Sequence, residues 1–399
     1  MKIKIAVLFG GKSVEHEISI ISAVQAMRSL NREKYEIIPV YITKNNEMYT
    51  GDDLFSIEEY TNFPSLINKC TRVTFAVSGN RTQLVKCSTK LFEKNLVSEI
   101  DLAFPIVHGT NCEDGTLHGF LKMFNLPLVG CDVTASAVGM DKYIMKTVFR
   151  DNAIPVLDCR CFTRAQYEQS PESAIEKTEK AIEYPVIVKP VNLGSSVGIK
   201  KASDRNELAE ALENAFNFAG KVLVEKAVQN LKEINCSVLG DCDEAAASEC
   251  EEPVNSDEIL SYEDKYISGG KGSKVKGSKG GSKGMASLKR KIPAEISEEQ
   301  REYIRSLAVK AFRCLGCSGV ARIDFMMDLD EEKIYLNEIN TIPGSLSFYL
   351  WEPLGIGYKE LLDRILTIAV KRQTRMQNVV HSFETNVLSG AVLGRGSKG

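Results

Sequence analysis

The strongest constraint on the fold is a short apolar run at the start of the chain. The stretch Ile3 to Phe9 is apolar apart from one lysine, which is typical of a strand buried on both faces. Gly10-Gly11 ends it, and Ser13 to Leu30 follows with apolar residues at helical spacing. Tyr35 to Ile42 and Asp101 to Val107 are further strand candidates. Alternation of this kind predicts an α/β fold with a parallel sheet covered by helices on both faces.

Around Gly130 the pattern changes, and shorter strands alternate with helices. We expect helices over Ser136 to Arg150, Asn206 to Phe218, Ser297 to Leu315 and Lys359 to Arg372, and strands over Pro185 to Pro190, Val222 to Glu225, Val320 to Met327 and Lys333 to Ile339. The last two strands flank an acidic turn, which indicates a hairpin. The stretch Ser268 to Gly284 holds only Ser, Gly and Lys apart from one valine, so it cannot bury a core. It is interpreted either as a solvated linker or as a cationic flap over phosphates.

Charge and cysteine content narrow the class of protein. The chain has 50 Lys and Arg against 53 Asp and Glu, a net charge of −3, which argues against a dedicated nucleic-acid binder. No apolar run approaches the roughly 18 residues that a membrane helix needs, so we expect no membrane partner. The eleven cysteines are odd in number and scattered, which favours reduced thiols and a cytoplasmic protein.

One glycine-rich stretch is a candidate phosphate-binding loop. Gly194-Ser-Ser-Val-Gly198 follows a strand that carries Lys189. Small residues leave backbone N–H groups accessible to phosphate oxygens, although a surface turn with an incidental lysine has the same pattern. Gly11-Lys12-Ser13 resembles the end of a P-loop but is rejected as one, because a P-loop needs a glycine where this chain has Ala6 inside a strand.

Acidic side chains on the predicted hairpin indicate a metal site. Arg322 and Asp324 share one face of the first strand, because side chains alternate with period two. Glu338 and Asn340 have the same spacing on the second strand. If the strands pair, the oxygens of Asp324, Glu338 and Asn340 lie side by side, which suits Mg²⁺ with substrate phosphates as further ligands. Arg322 could then stabilise charge on a phosphoryl group. The alternative is a surface ladder of ion pairs, which would not need an amide.

Other candidates lie at strand ends. His108 and Glu15 each follow a strand of the N-terminal sheet, at the edge where open α/β sheets bind ligands. Glu15 could hold an ammonium group or could complement a helix dipole. Glu225 ends another strand, and Glu233 follows eight residues later. A strand end can offer hydrogen bonds to adenine, and a carboxylate can accept them from ribose hydroxyls.

Nine ordered motifs over residues 1 to about 370 make the chain resemble the D-alanine–D-alanine ligase family of the ATP-grasp superfamily. They are Gly10-Gly-Lys-Ser-Val-Glu-His-Glu-Ile-Ser19, His108-Gly109 with Glu113-Asp-Gly-Thr116, Gly139-Met-Asp-Lys142, Lys189-Pro190, Gly194-Ser-Ser-Val-Gly198, Glu225-Lys226, Lys265-Tyr266, Arg322-Ile-Asp324 and Asn337-Glu-Ile-Asn-Thr-Ile-Pro-Gly344. The resemblance implies an ATP-grasp fold with an N-terminal Rossmann-like domain. It also implies an N-terminal domain at 1–130, a central subdomain at 131–221, a C-terminal subdomain with a lid at 222–375, and a flexible tail at 376–399.

The resemblance also implies roles for the matched residues. ATP would be bound by Lys142, Lys189, Ser195, Ser196, Glu225, Lys226, Val228, Glu233 and Lys265, and the metal by Asp324, Glu338 and Asn340. The residues implied in catalysis are Glu15, Ser195, Tyr266 and Arg322, and those implied in substrate binding are Glu15, His108, Ser347, Tyr349 and Leu350. The implied reaction joins two D-alanines through an acylphosphate for peptidoglycan synthesis, with ATP and Mg²⁺ or Mn²⁺. A homodimer is implied as well.

The second substrate is where the resemblance leaves alternatives open. The family usually has a serine for the second carboxylate, and an ungapped comparison puts Tyr349 there, whereas a short gap puts Ser347 there. D-Alanine is the expected acceptor, with D-serine, D-lactate or another amino acid as alternatives. Two other classes remain: a different ATP-grasp carboxylate–amine ligase, and a non-catalytic nucleotide-binding protein.

Overall fold

The computed structural model describes residues 2–89, 93–194, 196–253, 290–376 and 379–380. The described residues form three sheets with helices packed against them. Five predictions fall outside this part of the chain, namely those for Ser195, Lys265, Tyr266, the stretch 268–284 and nearly all of the tail. None of the described helices combines the length and apolar character needed to cross a membrane.

The first sheet has the strand order β6-β5-β4-β3-β2-β1-β7. Its elements are β1 (Ile3–Gly10), α1 (His16–Ser29), β2 (Tyr35–Ile42), β3 (Met48–Thr50), α2 (Phe63–Lys69), β4 (Thr71–Ser78), β5 (Arg81–Lys86), β6 (Leu96–Ile100), β7 (Leu102–Pro105) and α3 (Thr116–Lys122). β1 lies parallel to β2 and β7, and its residues 5–9 are fully buried. The predicted parallel sheet is confirmed for these three strands. The other pairings are antiparallel. The two-residue turn between β4 and β5 allows only antiparallel pairing of those two strands.

Two helices and a second sheet follow. The elements are α4 (Val133–Met140), α5 (Lys142–Asp151), β8 (Cys159–Thr163), α6 (Arg164–Gln169), α7 (Pro171–Glu179), β9 (Val186–Pro190), β10 (Lys200–Ala202), α8 (Arg205–Phe216) and β11 (Lys221–Lys226). The strands pair antiparallel in the order β10-β9-β11-β8. The apolar face of α8 packs on this sheet through Leu208, Leu212 and Phe216.

The third sheet is antiparallel, with the order β14-β13-β12-β15-β16. Its elements are β12 (Leu231–Gly240), β13 (Ala245–Pro253), β14 (Arg290–Lys291), α9 (Glu298–Cys314), β15 (Gly319–Asp328), β16 (Lys333–Asn340) and α10 (Tyr358–Met376). The helix α9 begins with a capping box between Ser297 and Gln300 and buries Ile304, Leu307 and Phe312 against the sheet. The predicted hairpin is therefore present as β15 and β16.

The prediction of a single helix over Ser136 to Arg150 is wrong. Asp141 separates α4 from α5, and its carboxylate accepts hydrogen bonds from the N–H groups of Tyr143 and Ile144. A side chain that satisfies N–H groups at a helix start is a strong N-cap. The break places Lys142 at the first position of α5, where its N–H donates to Val191 O at 2.9 Å.

The segment 341–351 connects the third sheet to the core of the first. Residues 345–347 adopt three consecutive left-handed conformations, with φ from 49 to 53°. Conformations of this kind are uncommon for residues other than glycine, and here buried contacts hold them. Ser345 N donates to Ser22 Oγ at 3.1 Å, and Leu350 and Trp351 pack into the core around β1.

Candidate active site

A cavity of about 1110 Å³ is lined by strands of the second and third sheets, by loops that follow β1, β7, β9 and β16, and by residues of α1, α4 and α5. Of the residues expected from the sequence, fourteen line it: Glu15, His108, Lys142, Lys189, Ser196, Glu225, Lys226, Val228, Glu233, Arg322, Asp324, Glu338, Asn340 and Tyr349. Ser347 and Leu350 are fully buried and do not line it. The structure therefore brings Tyr349, rather than Ser347, to the cavity wall.

The carboxylates of the hairpin lie side by side, as the spacing predicted. Asp324 is opposite Glu338, and Arg322 is opposite Asn340 in the register of β15 and β16. Arg322 donates from Nε and Nη2 to the two oxygens of Asp324, each at 2.7 Å. Asn340 Nδ2 donates to Asp324 Oδ2 at 3.0 Å. The alternative of a surface ladder does not apply, because Arg322 and Asp324 have only 14% of their side chains exposed.

Glu338 faces lysines across the cavity. Its Oε2 lies 3.1 Å from Lys142 Nζ. Burial alone would raise the pKa of Glu338, but Lys142 and then Lys189 outweigh it and bring the pKa to about 2. Lys142 Nζ also donates to Leu193 O at 2.9 Å. This lysine therefore joins the loop after β9 to the carboxylates of the third sheet.

The hairpin side chains fit a hard divalent cation. They offer two carboxylates and one amide at neighbouring positions, and oxygen donors of this kind are the ligands of Mg²⁺ and Mn²⁺. Within the described ranges no group of three or more His, Cys, Asp or Glu side chains is placed to hold a metal. A cation at the hairpin would therefore take its remaining ligands from phosphate oxygens or water.

The carboxylate of Glu225, at the end of β11, has buried partners of its own. The carboxylate is buried between two ammonium groups, with an ion pair to Lys189 and another to Lys146 Nζ at 3.0 Å. Burial would raise the pKa of Glu225, but Lys146 and Lys189 together lower it to about 2. Burial in turn lowers the pKa of Lys189, to which Lys146 also contributes. Glu225 thus orients Lys189, whose Nζ also lies 3.2 Å from Asn337 Oδ1.

Four further residues that the sequence predicted to bind ATP also line the cavity. Lys226 is largely exposed and pairs with Glu331. Val228 and Glu233 line the cavity, and Ser196 lies in the glycine-rich loop with φ 61°.

Glu15 and His108, which follow β1 and β7 of the first sheet, also line the cavity. A Cβ added at Gly194 would lie 3.3 Å from Glu15 Oε2, so the carboxylate is close to the glycine-rich loop. His108 Nδ1 lies 2.9 Å from Ile342 O, and its Nε2 lies 3.1 Å from Ser22 Oγ. Burial lowers the pKa of His108. A neutral ring that donates from Nδ1 and accepts at Nε2 satisfies both contacts.

The sequence reasoning assigned no role to four residues of this site. Glu113 is buried, and its Oε1 accepts from Ile342 N at 2.9 Å. Lys146 follows Lys142 by four residues, and that spacing places both on one face of α5; this signal could have been recognised. No comparable signal exists for Glu251 and Arg290, because their contact depends on the pairing of β13 with β14.

Comparisons with known proteins give a single answer. Residues 4–131 match the family described as "D-ala D-ala ligase N-terminus", and residues 148–367 match "D-ala D-ala ligase C-terminus". The chain belongs to the D-alanine–D-alanine ligase family. It is 39% identical over 391 residues to the D-alanine–D-alanine ligase of Caldicellulosiruptor bescii, covering 96% of this chain and 99% of that protein. It is 38% identical over 387 residues to that of Thermosipho melanesiensis, covering 97% and 98%.

Solved structures of the D-alanine–D-alanine ligase family agree with the described fold. The VanG D-Ala:D-Ser ligase from Enterococcus faecalis matches with a TM-score of 0.75 and 30% identity, covering 92% of this chain and 100% of that chain. The D-alanine–D-alanine ligase from Coxiella burnetii matches with a TM-score of 0.75 and 29% identity, covering 94% and 96%. The α/β ATP-grasp fold expected from the sequence is confirmed, and the protein is an ATP-dependent ligase that acts on small molecules and uses metal ions.

Proposed function

We propose that this protein joins two D-alanine molecules to D-alanyl-D-alanine at the expense of ATP, for peptidoglycan synthesis. In the first step a carboxylate oxygen of one D-alanine attacks the γ-phosphorus, the bond to the bridging oxygen breaks, and ADP leaves. In the second step the amine of the other D-alanine attacks the acylphosphate carbonyl, and phosphate leaves with the C–O electron pair. The attacking nitrogen loses its protons to water or phosphate. Family membership and the charge arrangement of the cavity support this proposal.

The cations of the cavity serve the phosphoryl group in this proposal. Lys142 and Lys189 hold phosphate oxygens, and Arg322 stabilises the charge that develops on the transferred group and on the tetrahedral carbon. No side chain needs to act as a covalent nucleophile, so the work of the protein is alignment and electrostatic stabilisation. Glu225 supports this indirectly, because its carboxylate holds Lys189 in place.

We propose Mg²⁺ as the metal, with Mn²⁺ as a substitute, held by Asp324, Glu338 and Asn340. When bound, the cation supplies charge neutralisation between the phosphates of ATP. Arg322 and Lys142 neutralise the two carboxylates in the described structure. Lys142 favours the ionised form of Glu338, whose pKa is about 2, and this is the form that binds a metal. Burial raises the pKa of Asp324, and the contact with Arg322 opposes that rise.

Glu15 holds the ammonium group of the first D-alanine in this proposal, and His108 lies beside it. Both nitrogens of His108 are engaged with protein atoms, so its ring positions the segment after β16 as well as lining the cavity. Residues 195, 265 and 266, which the resemblance connects with the lid and with ATP, lie outside the described part of the chain and stay predictions.

The observation that carries the proposal is the contact of Lys142 on α5 with Glu338 on β16, because it brings a phosphate-binding lysine and a metal carboxylate of the proposed reaction together in the cavity. The direct test is to incubate the protein with ATP, Mg²⁺ and D-alanine and to detect the dipeptide by mass spectrometry. Release of ADP with the dipeptide is the expected result. ADP release without any dipeptide would point to another carboxylate–amine ligase, and absence of ADP release would favour a nucleotide-binding protein without catalysis.

D-Serine is a second candidate for the acceptor. Tyr349 stands on the cavity wall where the family usually has a serine, and one similar structure is titled a D-Ala:D-Ser ligase. A competition assay with equal D-alanine, D-serine and D-lactate as acceptors distinguishes the candidates by the mass of the product. A dominant D-alanyl-D-alanine signal is expected.

Three further features belong to the proposal. The boundaries at 130 and at 221 divide the chain into units that follow the three sheets, except that β11 begins at Lys221 and pairs in the second sheet, so we propose the second boundary after Lys226.

A cytoplasmic location agrees with eleven cysteines that are all free. A homodimer is proposed from the family, and light scattering is the measurement for it.

A further inference from the structure

One end of the cavity contains a charged cluster that the reaction as proposed does not use. It consists of Glu251 on β13, Arg290 on β14 and Tyr349, and all three residues line the cavity. Glu251 is 3% exposed and Tyr349 is 7% exposed, so this is a buried arrangement. Buried charges need partners that match them closely, and the partners of this cluster are specific.

Glu251 is the centre of the cluster. Its Oε2 accepts from Arg290 Nη1 at 2.9 Å, and its Oε1 accepts from Tyr349 Oη at 3.1 Å and from Asn235 Nδ2 at 3.0 Å. The Arg290 guanidinium carbon lies 3.9 Å from the centre of the Tyr349 ring, which is within cation–π distance. The guanidinium is therefore held at one edge by a carboxylate and on one face by an aromatic ring.

The sheet register connects this cluster to the reaction centre. Glu251 pairs with Asn235, Asn235 pairs with Asp324, and Asp324 pairs with Glu338 on four successive strands. At about 4.8 Å per strand, the backbone of Glu251 is roughly 10 Å from that of Asp324. Arg322, which donates to both oxygens of Asp324, lines the same cavity as Arg290.

In the proposed reaction the amine of the second substrate reaches the acylphosphate beside Arg322, so its carboxylate points away from Lys142 and Lys189. Arg290 and Tyr349 line the same cavity, and Glu251, which contacts both, lies two strands from Asp324. A guanidinium fork matches a carboxylate geometrically and is already pre-organised here.

We propose that Arg290, oriented by Glu251 and Tyr349, recognises the carboxylate of the acceptor amino acid. In this proposal the ring of Tyr349 fixes the plane of the Arg290 guanidinium. The Tyr349 hydroxyl does not take the place of the serine that usually binds the second carboxylate in the family. This inference rests on the proposed function, because it assigns the second substrate of that reaction. It makes Arg290 a specificity residue for a carboxylate-bearing acceptor and Glu251 a positioning residue.

The test compares two acceptors, D-alanine and D-alaninamide, which differ only in the carboxylate. In the wild-type protein D-alanine should be preferred as acceptor. In Arg290→Met the Michaelis constant for the second D-alanine should rise about 10- to 100-fold, the range for a lost hydrogen bond to a charged group. The constants for ATP and for the first D-alanine should change little, and the preference for D-alanine over D-alaninamide should fall by a similar factor.

Three further variants guard against trivial causes. Arg290→Lys keeps the charge without the fork, and we expect it to recover part of the preference. Tyr349→Phe keeps the ring and should retain most of it. Arg301→Met removes an arginine of α9 that lies 2.9 Å from Glu249, a residue of the same strand as Glu251, but that does not line the cavity. This variant should leave the preference for D-alanine over D-alaninamide unchanged.

The outcomes separate the inference from the function it rests on. Suppose that the wild-type protein makes the dipeptide. If Arg290→Met then shows an unchanged Michaelis constant for the second D-alanine and an unchanged preference for D-alanine over D-alaninamide, the assignment of Arg290 is refuted. Equal losses in Arg290→Met and Arg301→Met would also refute it, because they would indicate a general structural effect. If the wild-type protein makes no dipeptide, the proposed function fails first, whatever the variants do.

Discussion

The buried carboxylate of Glu225 allows a quantitative prediction about stability. The pKa of Glu225 falls from 4.5 to about 2 in the folded protein, which corresponds to about 3 kcal/mol of stabilisation at neutral pH. Glu225→Gln keeps the shape of the side chain but leaves Lys146 and Lys189 without their shared counter-ion. The loss should therefore be about 3 kcal/mol, at the low end of what breaking a buried ion pair costs.

The pH dependence of this loss has a definite sign. A carboxyl group whose pKa is lowered by folding contributes in full above its unfolded value, here about 4.5, and the contribution disappears as the pH falls towards 2. Denaturant unfolding of wild type and Glu225→Gln between about pH 7 and pH 3.5 should therefore show a difference in stability that narrows in acid.

A matched control decides whether burial is the cause. Glu331 also has a pKa of about 2, because Lys226 and Lys333 pair with it, but it lies at the exposed surface. Solvent and salt screen exposed ion pairs, so Glu331→Gln should have a far smaller effect than Glu225→Gln. Equal losses from the two substitutions, or a Glu225→Gln difference that does not change with pH, would refute the reasoning.

Three other predictions concern the cavity. Asp324→Asn removes a carboxylate that we propose binds the metal and that is also the bidentate partner of Arg322; kcat should fall at least about 100-fold, and a Mg²⁺ titration that reaches wild-type turnover would contradict this. Lys142→Met should raise the Michaelis constant for ATP, measured at saturating D-alanine, because Nζ bridges Leu193 O and Glu338; an unaltered constant would remove this lysine from the phosphate site. Burial raises the pKa of Glu113 to about 7, so its ionisation destabilises the fold as the pH rises from about 4.5 through 7. The melting temperature of Glu113→Gln minus that of wild type should therefore be larger at pH 8 than at pH 5. A difference in melting temperature that does not depend on pH would contradict this prediction.

The sequence predicted those parts of the site that depend on short spacing. Asp324 and Arg322, like Glu338 and Asn340, are two residues apart, so any strand places each pair on one face. The hairpin turn then fixed which strands pair. This is why the metal ligands could be proposed without a structure.

Other parts depend on contacts between distant segments and could not be predicted. The helix break at Asp141 is stabilised by the hydrogen bond from Lys142 N to Val191 O. Helix propensities of the local sequence cannot predict this bond, because Val191 is distant in the chain. The side chain of Glu225 alternates to one face of β11, but its lysine partners come from α5 and β9. Long-range pairing of this kind overrides local patterns.

The two ends of the cavity are constrained to different degrees. The proposed metal ligands and Arg322 lie in one stretch of register between β15 and β16, so a slip of one strand against the other would separate them. At the proposed acceptor end, Glu251, Arg290 and Tyr349 come from β13, β14 and the segment after β16, and they contact one another through the Glu251 carboxylate and the Tyr349 ring. Substitution at Arg290 or Tyr349 therefore leaves the register of the catalytic strands intact. If Arg290 binds the acceptor as proposed, we expect its substitution to change acceptor specificity without disturbing the transfer of phosphate, so the kinetic constants for the two D-alanine sites should respond separately.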